Sequence, residues 1–250
     1  MTAVLSGSLS LVIPAHNEGP NIGPLLARCI SALPGVSGDY DIVLVDDGST
    51  DDTVTVARRA MGNEGGRLSI VSHERKSGYG VTVADGLRAA RGRYVGFMDG
   101  DGQFDPADLE KLARQLADAD LVTGRRERRA DPRYRLLIAG VFNVLIRLLY
   151  RVRFRDVDCG MKMMRREVLD ASAPILARSA LLNTELYFKA QRNGFRVAQV
   201  SVPHYPRVAG VRSGARLIPI LRAIRDLVWL RLKLAQSWHA RGVPEAAPGN

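Results

Sequence analysis

Between residues 9 and 123, short apolar runs alternate with longer helical stretches, and that rhythm confines the fold to a few architectures. LSLVIP at 9–14 and YDIVLVD at 40–46 read as buried strands, 68–72 and 94–98 as two more apolar runs of the same kind, and 121–123 as a short closing strand. Helices are expected over about 21–32, from the capping group Ser49-Thr50-Asp51-Asp52 through Arg59, over about 81–91, and from Asp105-Pro106 onward. Such alternation predicts an α/β fold, a Rossmann-like, mostly parallel sheet with helices on both faces. Ligands of these sheets collect beyond the carboxyl ends of the strands. Three polar clusters fall there: His16-Asn17-Glu18, Asp46-Asp47-Gly48-Ser49 and Asp99-Gly100-Asp101.

Asp99 and Asp101 stand two residues apart just after an apolar run. On an extended backbone alternate side chains share a face, so both carboxylates can turn to one cation. Their hard oxygens suit Mg²⁺ or Mn²⁺, ions that stabilise a diphosphate leaving group by neutralising its charge. Gln103 continues the alternation as a third oxygen donor. Taken alone, an Asp-Gly pair fits a solvated turn at least as well. Asp46 has the placement to accept hydrogen bonds from a base or from ribose hydroxyls, and Gly48 permits close backbone approach. Ser49 and Asp51 serve the next helix as caps in this reading. His16 carries no specific signal. Lys76-Ser77-Gly78-Tyr79-Gly80 reads as a tight turn entering a helix rather than as a phosphate cradle.

The chain of 250 residues, 46% hydrophobic, suffices for one large core. Cys29 and Cys159 suggest neither a disulfide framework nor a zinc site, so a reducing, cytoplasmic setting is expected. Residues 1–10 lack the pattern of a signal peptide, and no uncharged apolar run reaches about 18 residues, so a simple transmembrane span is not expected. The net charge of +10 is unevenly spread. Residues 1–120 hold 11 Lys and Arg against 17 Asp and Glu, whereas residues 121–250 hold 25 against 9. The acidic part suits a cation and the basic part an anionic partner.

Past Gly124 the texture changes. A basic, turn-rich loop at 125–135 leads into a helix over 136–151 that is apolar except for a narrow stripe of Gly140, Asn143, Arg147 and Arg151. A further helix is expected over 183–193 and a strand over 197–202. A last helix, about 216–239, carries the apolar stripe Leu217, Leu221, Ile224, Val228, Leu232 and Ala235, with Arg222, Asp226 and Lys233 facing away. Residues 244–250 read as a frayed end.

The segments VIPAHNE (12–18), LVDDGSTDDT (44–53), ARGRYVGFMDGDGQFDP (90–106) and VTGRR (122–126) together resemble glycosyltransferase family 2. DVDCGMKMMRREVL (156–169), NTELYFKAQRNGFRVAQVSVPHYPR (183–207) and GVRSG (210–214) are similar to the dolichyl- or polyprenyl-phosphate sugar synthases of that family, the dolichol-phosphate mannosyltransferase-like group. The resemblance runs in order from about residue 8 to 215. It implies a GT-A domain over 1–215, with a nucleotide-sugar half at 1–124 and an acceptor half at 125–215, followed by an amphipathic helix and tail over 216–250.

By match to the family's motifs, Pro14, Ala15, Glu18 and Asp46 line the nucleoside pocket, and Asp99, Asp101 and Gln103 contact Mg²⁺ or Mn²⁺. Arg125, Arg135 and Arg207 match phosphate-binding arginines of the acceptor side, and Asp101, Arg125 and Arg207 are the residues expected to carry catalysis. Glu185 and Asp156 match acidic positions of the acceptor half. Two departures stand out. Arg126-Glu127-Arg128-Arg129-Ala130-Asp131 replaces a loop of small residues, and Ser213 is followed by Gly214 where a basic residue is usual.

The activity so implied is inverting, metal-dependent transfer of a hexose from a nucleotide sugar, with GDP-mannose and UDP-glucose the leading donors, to a polyprenyl phosphate. The expected location is cytoplasmic, peripheral on the inner face of the cell membrane. The apolar helix at 136–151 and the last helix would meet an anionic membrane surface there, or else pack on the sheet or form the seam of a homodimer. A family 2 enzyme acting on a glycan or a small phosphorylated acceptor is the nearest alternative. A non-catalytic module holding membrane or nucleic acid is the alternative of another class. No nucleic-acid partner is expected, since neither a reading motif nor an aromatic stacking platform is found.

Overall fold

The computed structural model describes residues 2–127, 140, 144–150, 156–207 and 217–240, with the side chains of the last helix described at 225–236. Arg135, Ser213, most of the basic loop and the end of the chain lie outside the described residues. In chain order the elements are β1 (Leu9–Ala15), α1 (Gly19–Val36), β2 (Tyr40–Asp46), α2 (Thr53–Met61), β3 (Leu68–Ser72), α3 (Tyr79–Ala89), β4 (Tyr94–Met98), α4 (Leu109–Gln115) and β5 (Leu121–Arg126). Then follow β6 (Met161–Arg165), α5 (Arg166–Ser172), α6 (Leu182–Arg192), β7 (Val197–Val202) and α7 (Leu217–Ala240).

The seven strands form one sheet in the order β3-β2-β1-β4-β6-β5-β7. β1 pairs in parallel with β2 and β4, β2 with β3, and β5 with β7, while β6 runs antiparallel to both β4 and β5. Six strands therefore end at one edge, and the single reversed strand starts there. The expected α/β sheet with helices on both faces is what forms.

Burial explains the apolar runs. Every residue of β1 and of β4 is buried, because helices cover both faces of the sheet centre. One face packs Ile22, Leu25 and Leu26 of α1, Ala57 of α2 and Leu112 of α4 against Leu11, Ile13 and Leu44. The other packs Val83 and Leu87 of α3 and Leu186 and Tyr187 of α6 against Val12, Val45 and Phe97. Each fully buried Leu, Ile or Phe contributes about 1.5–3 kcal/mol, so these two layers dominate the stability of the sheet. Gly86 lets α3 lie directly on it, since a Cβ there would come within 2.3 Å of Val12 Cγ1 and 2.7 Å of Val45 Cγ2.

Several elements differ from expectation. α1 runs from Gly19 to Val36, longer at both ends than 21–32, with Pro24 and Pro34 inside it. α2 starts without a side-chain cap. Asp51 instead accepts from the Thr53 amide at 3.1 Å, and Ser49 turns to another loop. Asp105 does cap its helix, accepting from the Ala107 amide at 3.1 Å, with Pro106 in the first turn. β6 has no counterpart in the sequence reading.

On α7 the residues turned inward are Leu227, Leu230 and Leu234, whereas Val228 and Leu232 of the expected stripe are 46% and 60% exposed. The stretch 144–150 is helical and lies against α7: the Tyr150 hydroxyl donates to Leu227 O at 2.6 Å, and Arg231 Nε to Leu149 O at 2.9 Å. Among the described residues no helix is long and apolar enough to cross a membrane.

Candidate active site

At the edge where six strands end, the loops are sewn together by short polar side chains. Asn17, with φ of 54°, donates its amide to Ser49 Oγ at 2.9 Å and accepts from the Thr50 amide at 2.8 Å. The Glu18 amide donates to Thr53 Oγ1 at 2.9 Å, and the Gly19 amide to Asp51 Oδ2 at 3.0 Å. These bonds hold the loop after β1 against the loop after β2. Asp47 ties in a third loop, because its carboxylate accepts from the Ser77 amide at 2.7 Å and the Gly78 amide at 3.0 Å and meets His73 Nδ1 at 2.9 Å. Burial raises the Asp47 pKa, but the bonds from His73, Ser77 and Gly78 outweigh it and hold the carboxyl below its ordinary value. Gly48, at φ of 66°, passes the Arg75 backbone so closely that a Cβ would lie 2.6 Å from its carbonyl carbon.

These loops wall a cleft of about 380 Å³ lined by Pro14, Ala15, His16, Glu18, Asp47, Lys76, Tyr79, Thr82, Asp99, Gly100, Asp101 and Arg207. Pro14, Ala15, Glu18, Asp99 and Asp101, all assigned from the sequence, thus share one space with Arg207. Gly100 fits only as glycine, since a Cβ would come within 2.6 Å of Pro14 O.

Asp99 is clamped from two sides. The Tyr79 hydroxyl donates to Oδ1 at 2.9 Å, the Asp99 amide donates to Gly160 O at 3.0 Å, and a Cβ on Gly160 would overlap Asp99 Oδ2 at 1.8 Å. Burial, and then the like charge of Asp101, push the Asp99 carboxyl up to about 7, against the opposing pull of Tyr79, Lys162 and Arg126. Lys162 is fully buried, donates to Cys159 O, and lies 4.9 Å from the Phe97 ring centre and 5.3 Å from that of Tyr187. Burial pushes its pKa down to about 8 despite the nearby Cys159, Asp158 and Asp99.

Asp101 is held differently. Its Oδ1 accepts from the Gln103 amide at 3.1 Å, and its Oδ2 lies 3.7 Å from Arg207 Nη1. Arg207 Nη2 also donates to Glu18 Oε1. Glu18 Oε2 accepts in turn from Asn21 Nδ2 at 2.6 Å. Burial holds the Glu18 carboxyl above its usual value in spite of Asn21 and Arg207. Arg207 reaches the cleft because the segment 203–207 lies across the loop after β4. Tyr205 N donates to Gln103 O at 2.9 Å, Gln103 Nε2 to Tyr205 O at 3.0 Å, and His204 meets Phe104 edge-on at 5.2 Å.

The donor set fits a hard divalent cation. Two carboxylates that repel one another sit in a half-closed cleft, and a cation between them relieves that repulsion. Among the described residues no group of three or more His, Cys, Asp and Glu side chains is set to hold a metal. Asp99 and Asp101 are two carboxylates that the cleft offers to a cation, the sparse protein ligation usual for Mg²⁺, whereas Gln103 is not among the lining residues and its Nε2 donates to Tyr205 O.

Other assigned residues lie outside the cleft wall. Asp46 is buried at the end of β2, its Oδ1 accepting from the Ser49 amide at 3.2 Å. Arg125, near the end of β5, donates to Ser201 Oγ at 2.6 Å. Asp156 is the bidentate partner of Arg126, at 2.6 and 2.8 Å. Glu185 is fully buried, accepting from the Leu176 and Ala177 amides and pairing with Lys189 at 2.6 Å. Asp156 and Glu185 thus hold the part of the chain after Gly124 in shape. Sequence reasoning missed Tyr79, His16 and Asp47 as wall residues. His16 and Asp47 stand within the polar clusters placed at this edge but carry no assigned role there, and Tyr79 lies between two glycines that read as a turn.

Residues 10–172 match the family described as Glycosyl transferase family 2. The dodecaprenyl-phosphate galacturonate synthase of Rhizobium johnstonii is 37% identical over 234 residues, 90% of this chain and 67% of that protein. The undecaprenyl-phosphate 4-deoxy-4-formamido-L-arabinose transferase of Aeromonas hydrophila is 28% identical, covering 88% and 66%. The chain thus spans about two thirds of the length of these curated relatives. Glucosyl-3-phosphoglycerate synthase from Mycobacterium tuberculosis, solved with Mn²⁺, uridine diphosphate and phosphoglyceric acid, superposes with a TM-score of 0.66 at 21% identity, over 98% of this chain and 82% of that one. At that identity the likeness speaks for the fold.

Proposed function

The chain belongs to glycosyltransferase family 2, and we propose that it transfers a hexose from a nucleotide sugar, GDP-mannose or UDP-glucose, to a polyprenyl phosphate, with inversion and with Mg²⁺ or Mn²⁺. The observation that carries this reading is the meeting of Asp99, Asp101 and Arg207 in one cleft, two carboxylates suited to a cation beside a guanidinium suited to an anion. The names of the two curated relatives support a polyprenyl phosphate as acceptor.

A phosphate monoester has its second pKa near about 6 and is largely a dianion at neutral pH. It attacks an anomeric carbon without a strong general base, so the protein's task is to bring two anions together in line. Asp99, Asp101 and Gln103 would hold the cation, which when bound offsets the charge of the departing diphosphate. Pro14, Ala15 and Asp46 would face the nucleoside. Arg207 and Arg125, joined by Arg135 on the strength of the family resemblance, would hold the acceptor phosphate.

A transfer assay with polyprenyl phosphate tests this, run over GDP-mannose, UDP-glucose and a nucleotide-activated uronic acid, with and without chelator. Asp101→Ala should lower metal-dependent transfer by about 10²–10³-fold. Turnover that survives both chelator and this substitution would overturn the metal assignment. Turnover only with a glycan or a small phosphorylated acid would overturn the acceptor.

The working place proposed is the inner face of the cell membrane. Val144 and Leu148 on one helix, and Val228, Trp229 and Leu232 on the adjoining α7, expose apolar side chains at 45%, 72%, 46%, 47% and 60%. Exposed apolar side chains on two packed helices suit a bilayer interface. Flotation with anionic liposomes should be lost in a Leu148→Glu, Leu232→Glu double variant. Equal flotation would remove this face as the anchor.

A further inference from the structure

We infer that Arg207 is the resident counter-ion of the metal site, which makes the site poor at taking a bare cation and selective for a cation that arrives with a diphosphate. The inference rests on the metal-site reading given above. Its ground is the pair of contacts that Arg207 makes: one Nη to Glu18 Oε1 and the other 3.7 Å from Asp101 Oδ2. The guanidinium side chain is 16% exposed and those of Glu18 and Asp101 are 9% and 18% exposed, so the three charges interact under weak screening. A guanidinium cannot shed its proton at any ordinary pH. Whatever cation comes to Asp101 therefore meets a fixed positive charge already beside it.

The segment carrying Arg207 is fastened to the same loop. Gln103 Nε2 donates to Tyr205 O, and the Gln103 carbonyl accepts from the Tyr205 amide. The side-chain amide that would offer its oxygen to the metal thus holds, through its nitrogen, the strand of chain that delivers the arginine. A diphosphate changes the balance, because it brings its own negative charge for Arg207 to pair with and leaves Asp101 to the cation. Cation and diphosphate then bind with positive coupling, and by linkage each raises the affinity for the other by the same factor. An Arg207 that serves an anion during transfer is, before the anion arrives, neutralised by the carboxylates that it must later release.

The test is Mn²⁺ binding to the full chain without nucleotide, followed by electron paramagnetic resonance of free Mn²⁺. Arg207→Ala and Arg207→Gln should bind Mn²⁺ about tenfold more tightly than the wild type, within the usual range of such couplings, although both lose transfer. Arg207→Lys, which keeps the charge, should stay near the wild-type affinity. Arg114→Ala removes one positive charge from the exposed face of α4 and should leave Mn²⁺ binding unchanged. An unchanged or weaker affinity in both neutral variants, with folding verified by thermal melting, overturns the inference. The metal-site reading itself fails on a different result, Mn²⁺ binding that is the same in Asp101→Ala as in the wild type.

Discussion

The two halves of the molecule hold their shape by different means. Before Gly124, the loops at the sheet edge are joined by short side chains to backbone amides: Asn17 and Ser49, Glu18 and Thr53, Gly19 and Asp51, Asp47 and the Ser77-Gly78 turn. After it, long charged side chains are buried in pairs, Arg126 with Asp156 and Glu185 with Lys189. Short side chains on backbone give a stiff cradle at little desolvation cost. Buried ion pairs cost more to form, and removing one partner leaves the other charge stranded. On the proposed function, the cradle is the part that would hold the nucleotide, a ligand of fixed shape.

The comparison can be broken by substitution. Asp156→Ala strands Arg126 and should destabilise the protein by about 3–5 kcal/mol in denaturant unfolding. Asp47→Ala removes the buried acceptor of two backbone amides and of His73 and should cost about 1.5–3 kcal/mol. An Asp47→Ala loss equal to or above that of Asp156→Ala would erase the distinction between the halves. The last effect is a slope. Lys162, with its folded pKa near 8 and an unfolded value of about 10.4, binds fewer protons in the fold than in the unfolded chain between those values. Its contribution to stability should therefore rise as pH climbs from about 8 to about 10. Lys162→Met should flatten that part of the profile relative to wild type, measured by melting temperature against pH. Parallel profiles would mean that the buried amine does not titrate there.

The strands at 40–46, 68–72, 94–98 and 197–202 are legible because continuous apolar runs have few other uses in an α/β chain. β6 is not, since Lys162 interrupts MKMMR, and only the packed fold reveals Phe97 and Tyr187 as the walls that house its ammonium. α7 shows the opposite failure. Both of its sides are apolar, so periodicity alone chose a stripe in which Val228 and Leu232 lie outward, while Leu227, Leu230 and Leu234 face the core. Asp99, Asp101 and Arg207 are legible through the family's motifs. The Tyr79 contact with Asp99 spans twenty positions, and the role of Asp47 depends on a turn thirty residues away. No spacing rule in the sequence carries such contacts.

The reversed strand has a consequence for how a chain of this kind can change. β5 ends at Arg126 and β6 begins at Met161 on the same edge of the sheet, so the thirty-odd residues between them depart and return through one doorway. Such an excursion is a cassette. Its length can change without shifting the register of a neighbouring strand only while Asp156 stays on Arg126 and Gly160 stays against Asp99. Those contacts tie its returning end to the sheet and to the carboxylates of the cleft.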